Sequence, residues 1–183
     1  MIRPVPTRLA GLVRISPRVF QDERGFFLET YRDDEFAAVG VPNEFEQDNH
    51  SRSVRGTLRG LHFQIGNGQA KLVRVARGAI LDVVVDLRRS SPTYGSHEAF
   101  DLDDVGHNQL YVPIGFAHGF LVLSEFADVC YKVSTRYDPA LERGIAWNDP
   151  GLGINWPVAE PVLSRRDRIL PTLEQLGTEL PEW

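Results

Sequence analysis

The chain is patterned as short runs in which apolar and polar residues alternate, each bounded by turn-forming residues. Alternation with a period of two is typical of strands that bury one face. Turn residues such as Gly66-Asn67-Gly68 and Pro113-Ile114-Gly115 separate neighbouring runs. The pattern predicts strands at residues 11–20, 25–31, 45–49, 57–64, 71–76, 79–87, 97–101, 109–112, 118–123 and 129–135.

Many short strands at this spacing predict an all-β fold, either a sandwich or a small barrel. Only residues 33–39 and 172–180 are patterned as helices, and the second is expected to pack on the outside as a C-terminal appendage. A chain of 183 residues with 42% hydrophobic content can bury one substantial core. No repeat or low-complexity segment divides it, so one domain over residues 1–183 is expected.

Charge and cysteine content narrow the function classes. The net charge of −5 argues against non-specific binding to nucleic acid or to an anionic membrane, because both need a basic face. A single cysteine, Cys130, excludes an internal disulfide framework and is typical of a reducing compartment. The sequence shows no leader peptide and no apolar run near eighteen residues. We therefore expect a cytoplasmic protein without nucleic-acid or membrane partners.

The stretch Leu58-Arg59-Gly60-Leu61-His62-Phe63-Gln64 places titratable groups inside a predicted interior strand. Buried cationic groups lose hydration, so they need partners or take part in chemistry. Arg59 and His62 are three residues apart and should fall on opposite faces of a regular strand. Because glycine inside a strand commonly marks a bulge, a kink at Gly60 is predicted to turn both toward one cavity. The alternative is a hydrogen-bonded core histidine beside a structural ion pair.

Two further polar residues are predicted to point inward. Lys71 shares its strand face with Val73 and Val75, and Tyr131 shares its face with the valines two residues to either side. A lysine and a tyrosine would be costly as core filler. The interior is therefore predicted to hold water or a polar ligand.

The run Pro113-Ile114-Gly115-Phe116-Ala117-His118-Gly119 resembles the second motif of cupins, which are jelly rolls. Metal-binding cupins carry paired histidines and a glutamate in their first motif. The corresponding place here reads His62-Phe63-Gln64, with one imidazole and no nearby glutamate. Two separate histidines without a carboxylate make a poor site for common divalent metals, so no metal is predicted. Read alone, His118 is better explained as a satisfied core residue.

A larger set of motifs resembles the dTDP-4-dehydrorhamnose 3,5-epimerase family, in register from about Arg14 to Pro171. The blocks are Asp22-Glu23-Arg24-Gly25-Phe26-Phe27-Leu28-Glu29, Gln47-Asp48-Asn49, Leu58-Arg59-Gly60-Leu61-His62-Phe63-Gln64, Lys71-Leu72-Val73, Gly115-Phe116-Ala117-His118-Gly119-Phe120, Tyr131-Lys132, Trp147-Asn148-Asp149-Pro150 and Leu163-Ser164-Arg165-Arg166-Asp167. The resemblance implies a double-stranded β-helix jelly roll with short peripheral helices. It also implies a homodimer in which the partner chain supplies part of the site, no metal or organic cofactor, and a dTDP-4-keto-6-deoxy sugar as substrate.

The chemistry of such an enzyme explains its residue types. The 4-keto group acidifies the C–H bonds at C3 and C5, so inversion needs a base on one face and an acid on the other. By resemblance His62 is the base and Tyr131 the acid. Lys71 would neutralise the enolate oxygen at C4, helped by a nearby carboxylate or the acidic substrate that holds it protonated. Asp167 would hold the second ring nitrogen of His62, although a surface ion pair is its alternative.

The remaining site residues implied by the resemblance bind substrate. They are Arg24 and Glu29 at the nucleotide from the partner chain, Gln47, Asp48, Asn49 and Arg59 around the sugar and diphosphate, His118 at the sugar, Tyr137 stacked on thymine, Glu142 at the nucleotide, and Arg166 where the family usually has lysine. Arginine at that last position keeps the charge but changes the geometry.

Three functions are compatible with these residues. The first is inversion at both C3 and C5. The second is inversion at only one of these carbons, in an antibiotic deoxysugar pathway. The third is non-catalytic binding of sugar nucleotides by a cupin. The joint presence of His62, Lys71, Tyr131 and Asp167 weighs against the third, because binding alone requires no acid and base.

Overall fold

The structure is a computed structural model that describes residues 2–42 and 44–183, with Thr178 described by its backbone alone. Its strands are β1 Arg3–Val5, β2 Val13–Ser16, β3 Val19–Asp22, β4 Gly25–Leu28, β5 Gln47–Val54, β6 Leu58–Gln64, β7 Lys71–Arg77, β8 Ala79–Asp86, β9 His97–Asp103, β10 Gln109–Val112, β11 Phe116–Val122, β12 Phe126–Val133 and β13 Glu142–Gly144. Its helices are α1 Asp33–Ala38, α2 Leu173–Leu176 and two 3-10 turns, Asp167–Ile169 and Gly177–Glu179. Within the described ranges, no helix is long and apolar enough to cross a membrane.

Two antiparallel sheets face each other and form a jelly roll. One has the order β1-β2-β10-β7-β12-β5 and the other has the order β13-β6-β11-β8-β9. The core between them joins Val73 and Val75 of one sheet to Ile80, Val84 and other apolar side chains of the second sheet. This burial of one face of each sheet is what the alternating pattern predicts. The all-β jelly-roll prediction is confirmed.

The outer face of each sheet is also covered. On the six-stranded sheet, α1 buries Phe36 against Leu72 and Tyr111. On the five-stranded sheet, the C-terminal segment packs Leu176 and Leu180. The predicted C-terminal appendage is therefore present, but it is shorter than expected.

The C-terminal helix α2 is short because its two ends are both marked in the sequence. A capping box joins Thr172 and Gln175 at its start. At its end Gly177 adopts a φ of 46°, a positive value that favours glycine and does not continue a helix. The prediction of one helix over residues 172–180 is therefore wrong after Leu176.

The predicted strand 11–20 is also wrong as one element. It breaks between β2 and β3 at Pro17, which cannot donate a backbone hydrogen bond to a ladder. The second half pairs with β4 alone, as a separate hairpin β3–β4. This hairpin leaves Phe20, Phe26 and Phe27 between 45% and 66% exposed.

The kink predicted at Gly60 is confirmed by the pairing of β6 with β11. His118 pairs with His62 and Phe120 pairs with Arg59, so two residues of β6 oppose the single residue Gly119. A Cβ added to Gly60 would lie 2.5 Å from the Gly119 Cα, so only glycine allows the two strands to approach this closely. The extra residue turns both Arg59 and His62 toward the same cavity.

Candidate active site

A cavity of about 460 Å³ is lined by both sheets and by the segment that leads into the first 3-10 turn, including its first residue Asp167. Its size is within the usual range for small-molecule sites. Of the fourteen site residues predicted from sequence, the eleven that line it are Gln47, Asn49, Arg59, His62, Lys71, His118, Tyr131, Tyr137, Glu142, Arg166 and Asp167.

A histidine–carboxylate pair lies on one wall of this cavity. The Nε2 of His62 lies 2.7 Å from Oδ1 of Asp167, which is 4% exposed. Burial acts to raise the pKa of Asp167, but its hydrogen bond and charge interaction with His62 outweigh burial and hold that pKa below its usual value. When the Nε2–H of His62 donates to this carboxylate, Nδ1 is left as the basic ring nitrogen. The hydrogen bond predicted between the two residues is present.

The Lys71 ammonium enters the cavity from the first residue of β7. It is 7% exposed and shares its face with Val73 and Val75, as strand parity predicts. Burial lowers the pKa of Lys71 to about 8, and the charge of Glu142 acts in the opposite direction. Lys71 therefore carries its charge at neutral pH by a narrow margin.

Tyr131 stands on β12, beside Asn49 of β5 and Val73 of β7. Burial raises the pKa of its phenol, the nearby Arg59 opposes this, and Glu142 adds to it. The hydroxyl is thus protonated at neutral pH, as a proton donor must be. The neighbouring Asn49 side chain accepts a 2.8 Å hydrogen bond from Gln47.

A second histidine–carboxylate pair involves a residue that sequence reasoning missed. His118 lies 2.7 Å from Asp82, and both side chains are buried. The signal was available, because Asp82 is a lone carboxylate in the first half of an otherwise apolar strand. A second missed residue is Ser53, whose hydroxyl accepts a 2.9 Å hydrogen bond from the Nε of Arg59.

Three polar side chains meet beside these groups. The Tyr137 hydroxyl donates to Oε2 of Glu142 at 2.7 Å, and Nη1 of Arg166 donates to the same oxygen. Tyr137 is about half exposed, so one face of its ring is available to a ligand. Glu142 thus holds both an aromatic ring and a guanidinium in place.

Three predicted site residues lie outside the cavity. Asp48 falls between the inward-facing Gln47 and Asn49, and strand alternation turns it to the opposite face, where it pairs with Lys132 at 2.9 Å. Asp48 therefore does not line the cavity of its own chain, and its predicted contact with the sugar stays a prediction. Arg24 and Glu29 belong to the hairpin β3–β4 and the residue after it, away from the cavity of their own chain.

No metal-binding arrangement is found in the part of the chain that the structure describes. Among residues 2–42 and 44–183, no group of three or more His, Cys, Asp or Glu side chains is placed to hold a metal ion. Among the described residues, the cavity is instead lined by three cations (Arg59, Lys71 and Arg166), by two phenols, and by two histidines that are each hydrogen-bonded to a carboxylate. Fold and cavity together define a cupin-like jelly roll whose site is suited to moving protons on an anionic or carbonyl ligand.

Comparison with known proteins identifies the family. The model of the family described as dTDP-4-dehydrorhamnose 3,5-epimerase matches residues 6–175. A protein of that name from Pseudomonas aeruginosa is 52% identical over 166 residues, covering 88% of this chain and 92% of the relative. A dTDP-4-dehydrorhamnose 3-epimerase from Streptomyces niveus is 48% identical over 165 residues, covering 89% of this chain and 80% of the relative.

A solved structure from Legionella pneumophila extends the similarity to the fold. It is a dTDP-6-deoxy-D-glucose-3,5-epimerase in complex with dTDP-4-keto-L-rhamnose. It superimposes with a TM-score of 0.96 at 41% identity, covering 100% of this chain and 99% of that one. The chain therefore belongs to the dTDP-4-dehydrorhamnose 3,5-epimerase family.

Proposed function

We propose that the protein inverts C3 and C5 of dTDP-4-dehydro-6-deoxyglucose to give dTDP-4-dehydrorhamnose. The observation that carries this proposal is that the hydrogen-bonded pair of His62 and Asp167 shares one cavity with Lys71 and Tyr131. Family membership supports the substrate class, since a relative binds a dTDP-4-keto sugar.

Each inversion proceeds through an enolate. The free ring nitrogen of His62 takes the proton from the carbon next to the C4 carbonyl, and the C–H electron pair moves into the enolate. Tyr131 then gives its phenolic proton to the opposite face of the same carbon. The imidazolium and the phenolate exchange protons with water to restore the starting state. Only protons move, so the step requires neither an oxidant nor a reductant.

The surrounding groups stabilise the charges that develop. Lys71 places an ammonium in a desolvated wall, where it stabilises the enolate oxygen more strongly than it would in water. The carboxylate of Asp167 fixes the tautomer of His62 and stabilises the imidazolium. These roles rest on the positions of the side chains around one cavity.

Binding of the nucleotide part uses the more open side of the cavity. Guanidinium groups bind diphosphate oxygens through their planar fork, which suits Arg59 and Arg166 to this role. The half-exposed ring of Tyr137 offers a face for stacking on thymine. We propose that Gln47, Asn49 and His118 contact the sugar.

A second candidate function is inversion at C3 alone. It is favoured by the 48% identity to the dTDP-4-dehydrorhamnose 3-epimerase from Streptomyces niveus. Such an enzyme needs the same base, acid and enolate stabiliser, because the chemistry at each carbon is the same. The difference lies in which carbon the substrate presents to His62 and Tyr131.

Proton NMR of dTDP-4-dehydro-6-deoxyglucose in heavy water separates these functions. The proposed enzyme should replace the protons at C3 and C5 by deuterium and invert both carbons. Exchange and inversion at one carbon would establish the second candidate. Tight binding without exchange at either carbon would indicate a non-catalytic protein that binds sugar nucleotides. It would overturn both candidate functions.

We also propose a homodimer in which the hairpin β3–β4 of one chain reaches the cavity of the other. Among the described strands, the two strands of the hairpin pair only with each other, and they expose three phenylalanine rings, which a second chain would bury. Arg24 at its tip would then approach the nucleotide of the partner's substrate. Sedimentation at micromolar concentration should show a dimer.

Mixing two inactive variants tests the shared site. We expect Arg24→Ala and His62→Asn each to have low activity as pure dimers. In a mixed dimer, the chain with intact His62 would receive intact Arg24 from the other chain, so activity should return on mixing. If Arg24 served its own chain, both sites of the mixed dimer would be defective and no activity would return.

A further inference from the structure

Lys71 is a buried cation that has no direct partner among the residues the structure describes. Among the residues that the structure describes, none forms a hydrogen bond or ion pair with its ammonium group, which is 7% exposed. An ammonium that has lost its hydration tends to release its proton unless an anion lies nearby. The substrate-free protein therefore needs an anion in the cavity if Lys71 is to meet the substrate already charged.

Two carboxylates line the cavity, and they differ in what already holds them. Asp167 lies 2.7 Å from His62, so its charge is committed to that ring. Glu142 is ion-paired with Arg166 and accepts a hydrogen bond from Tyr137, both through Oε2, and within the described residues no hydrogen bond reaches Oε1. Its side chain is 13% exposed, so its field is only weakly screened by water.

We propose that Glu142 is the countercharge that keeps Lys71 protonated before substrate binds, and that Tyr137 and Arg166 hold its carboxylate in place for this task. Glu142 is then a positioning residue that acts through Lys71, a role distinct from contact with the nucleotide. Its consequence for catalysis rests on the proposed function, in which Lys71 stabilises the enolate.

The electrostatics of the cavity favour the same assignment. Burial lowers the pKa of Lys71 to about 8, and Glu142 is the group that opposes this fall. The charge of Glu142 also acts to raise the pKa of Tyr131. One carboxylate thus favours the protonated form of both groups that must carry a proton when the reaction begins.

The other charged groups around Lys71 do not replace this anion. Those facing the cavity are Arg59 and His62 on β6, His118 on β11, Tyr131 on β12, Tyr137 after it, Arg166 just before the first 3-10 turn and Asp167 at the start of that turn. The remaining charged side chains of β7 are Arg74 and Arg77. Except for Asp167 these are cations, histidines or phenols, so none supplies a free negative charge at neutral pH.

The chain offers a direct measurement, because Lys71 and Lys132 are its only two lysines. Protein labelled with carbon-13 at the lysine ε-carbon gives two signals, and Lys132→Arg assigns them. We expect the Lys71 signal of the wild type to titrate near pH 8. In Glu142→Gln its midpoint should fall by about half a pH unit or more, because an opposite charge nearby is lost.

Two control variants separate the charge from other effects. Glu125→Gln removes an exposed carboxylate outside the cavity and should leave the Lys71 midpoint in place. Glu142→Asp keeps the charge and should give a midpoint closer to the wild type than Glu142→Gln does. Thermal unfolding of each variant confirms that it is folded. The NMR signal of Lys132, which is paired with Asp48, is the internal standard of the titration.

The NMR titration needs no substrate, so its outcome does not depend on whether the proposed function is correct. An unmoved Lys71 midpoint in Glu142→Gln would overturn the countercharge role even in an active epimerase. A shifted midpoint in a protein that never exchanges substrate protons would support that role and overturn the proposed function. If the protein is an active enzyme, Glu142→Gln should move the alkaline limb of its pH profile of kcat/KM to lower pH, by the same amount as it moves the Lys71 midpoint.

Discussion

Replacing His62 by Asn should abolish both inversion and isotope exchange at the sugar carbons. Loss of a positioned base typically costs on the order of a hundred- to ten-thousand-fold in rate. Without the base the enolate does not form, so neither deuterium nor the inverted configuration should appear in the sugar. Asparagine can still donate a hydrogen bond to Asp167, so the fold should be kept.

The Tyr131→Phe variant should behave differently from His62→Asn. The base can still remove a proton, exchange it with heavy water and return deuterium to the face it left. Label should therefore enter the sugar while configuration is largely retained. The burial that raises the pKa of Tyr131 keeps its proton available for delivery in the wild type, and phenylalanine has none to give.

Deuterium incorporation and product epimer are followed together for both variants and for a matched control. His50→Asn is that control, because His50 lies on β5 at the outer face, bonded to Asp128 and outside the cavity. It should leave both quantities near wild type. Efficient inversion by Tyr131→Phe would assign the acid to another group, and equal loss of exchange in both variants would mean that the phenol acts in the first proton transfer.

Most of the fold could be predicted because alternation directly reports which side of a strand is buried. The strands β6 to β8 and β10 to β12 were located to within a few residues, since each has a strongly apolar inner face. The errors in strand bounds lie where pairing with a neighbouring strand, and not the strand's own sequence, sets its length. β5 begins two residues later than predicted and runs to Val54, because it pairs with β12 over its whole length. Its inward-facing residues are polar, so the alternation of apolar and polar residues is missing; they are Gln47, Asn49, Ser51 and Ser53.

The site was predictable where parity or motif carried information. The inward direction of Lys71 and Tyr131 followed from their valine neighbours, and the kink at Gly60 followed from the spacing of Arg59 and His62. Asp82 was missed because its partner His118 lies 36 positions away on the neighbouring strand, and Ser53 was missed because a serine six positions from Arg59 carries no signal of its own. Asp48 faces away from the cavity of its own chain, as the alternation of β5 requires, so its predicted sugar contact stays a prediction.

Replacing Lys71 by Met should reduce activity strongly and raise stability at the same time. Removing one group that stabilises an oxyanion typically costs about a hundred- to a thousandfold in kcat. The same ammonium is unfavourable in the folded state, because burial lowers its pKa from 10.5 to about 8. At about 1.4 kcal/mol per pKa unit, that penalty amounts to roughly 3 kcal/mol at most.

The protonation of Lys71 in the folded and unfolded states determines how the stability advantage of Lys71→Met changes with pH. Below pH 8 the lysine is charged in both the folded and unfolded states, so the folded wild type bears the full penalty. Between pH 8 and 10.5 the folded state releases its proton first, so the unfolded state binds more protons and wild-type stability rises with pH. Methionine is neutral throughout. The stability advantage of Lys71→Met should therefore be largest near pH 7 and shrink toward pH 10.5.

Urea unfolding at pH 7 and pH 10 measures both effects on one protein. Lys132→Met is the matched control, because Lys132 forms a partly exposed ion pair with Asp48 that should contribute little. Its change in the free energy of unfolding should stay within about 1 kcal/mol, and its activity should be nearly unchanged. A Lys71→Met protein that is less stable than wild type at pH 7, or whose advantage does not depend on pH, would show that Lys71 is a structural residue whose charge the fold accommodates. Lower activity together with higher stability would instead mean that the cavity retains a destabilising cation because the reaction requires it.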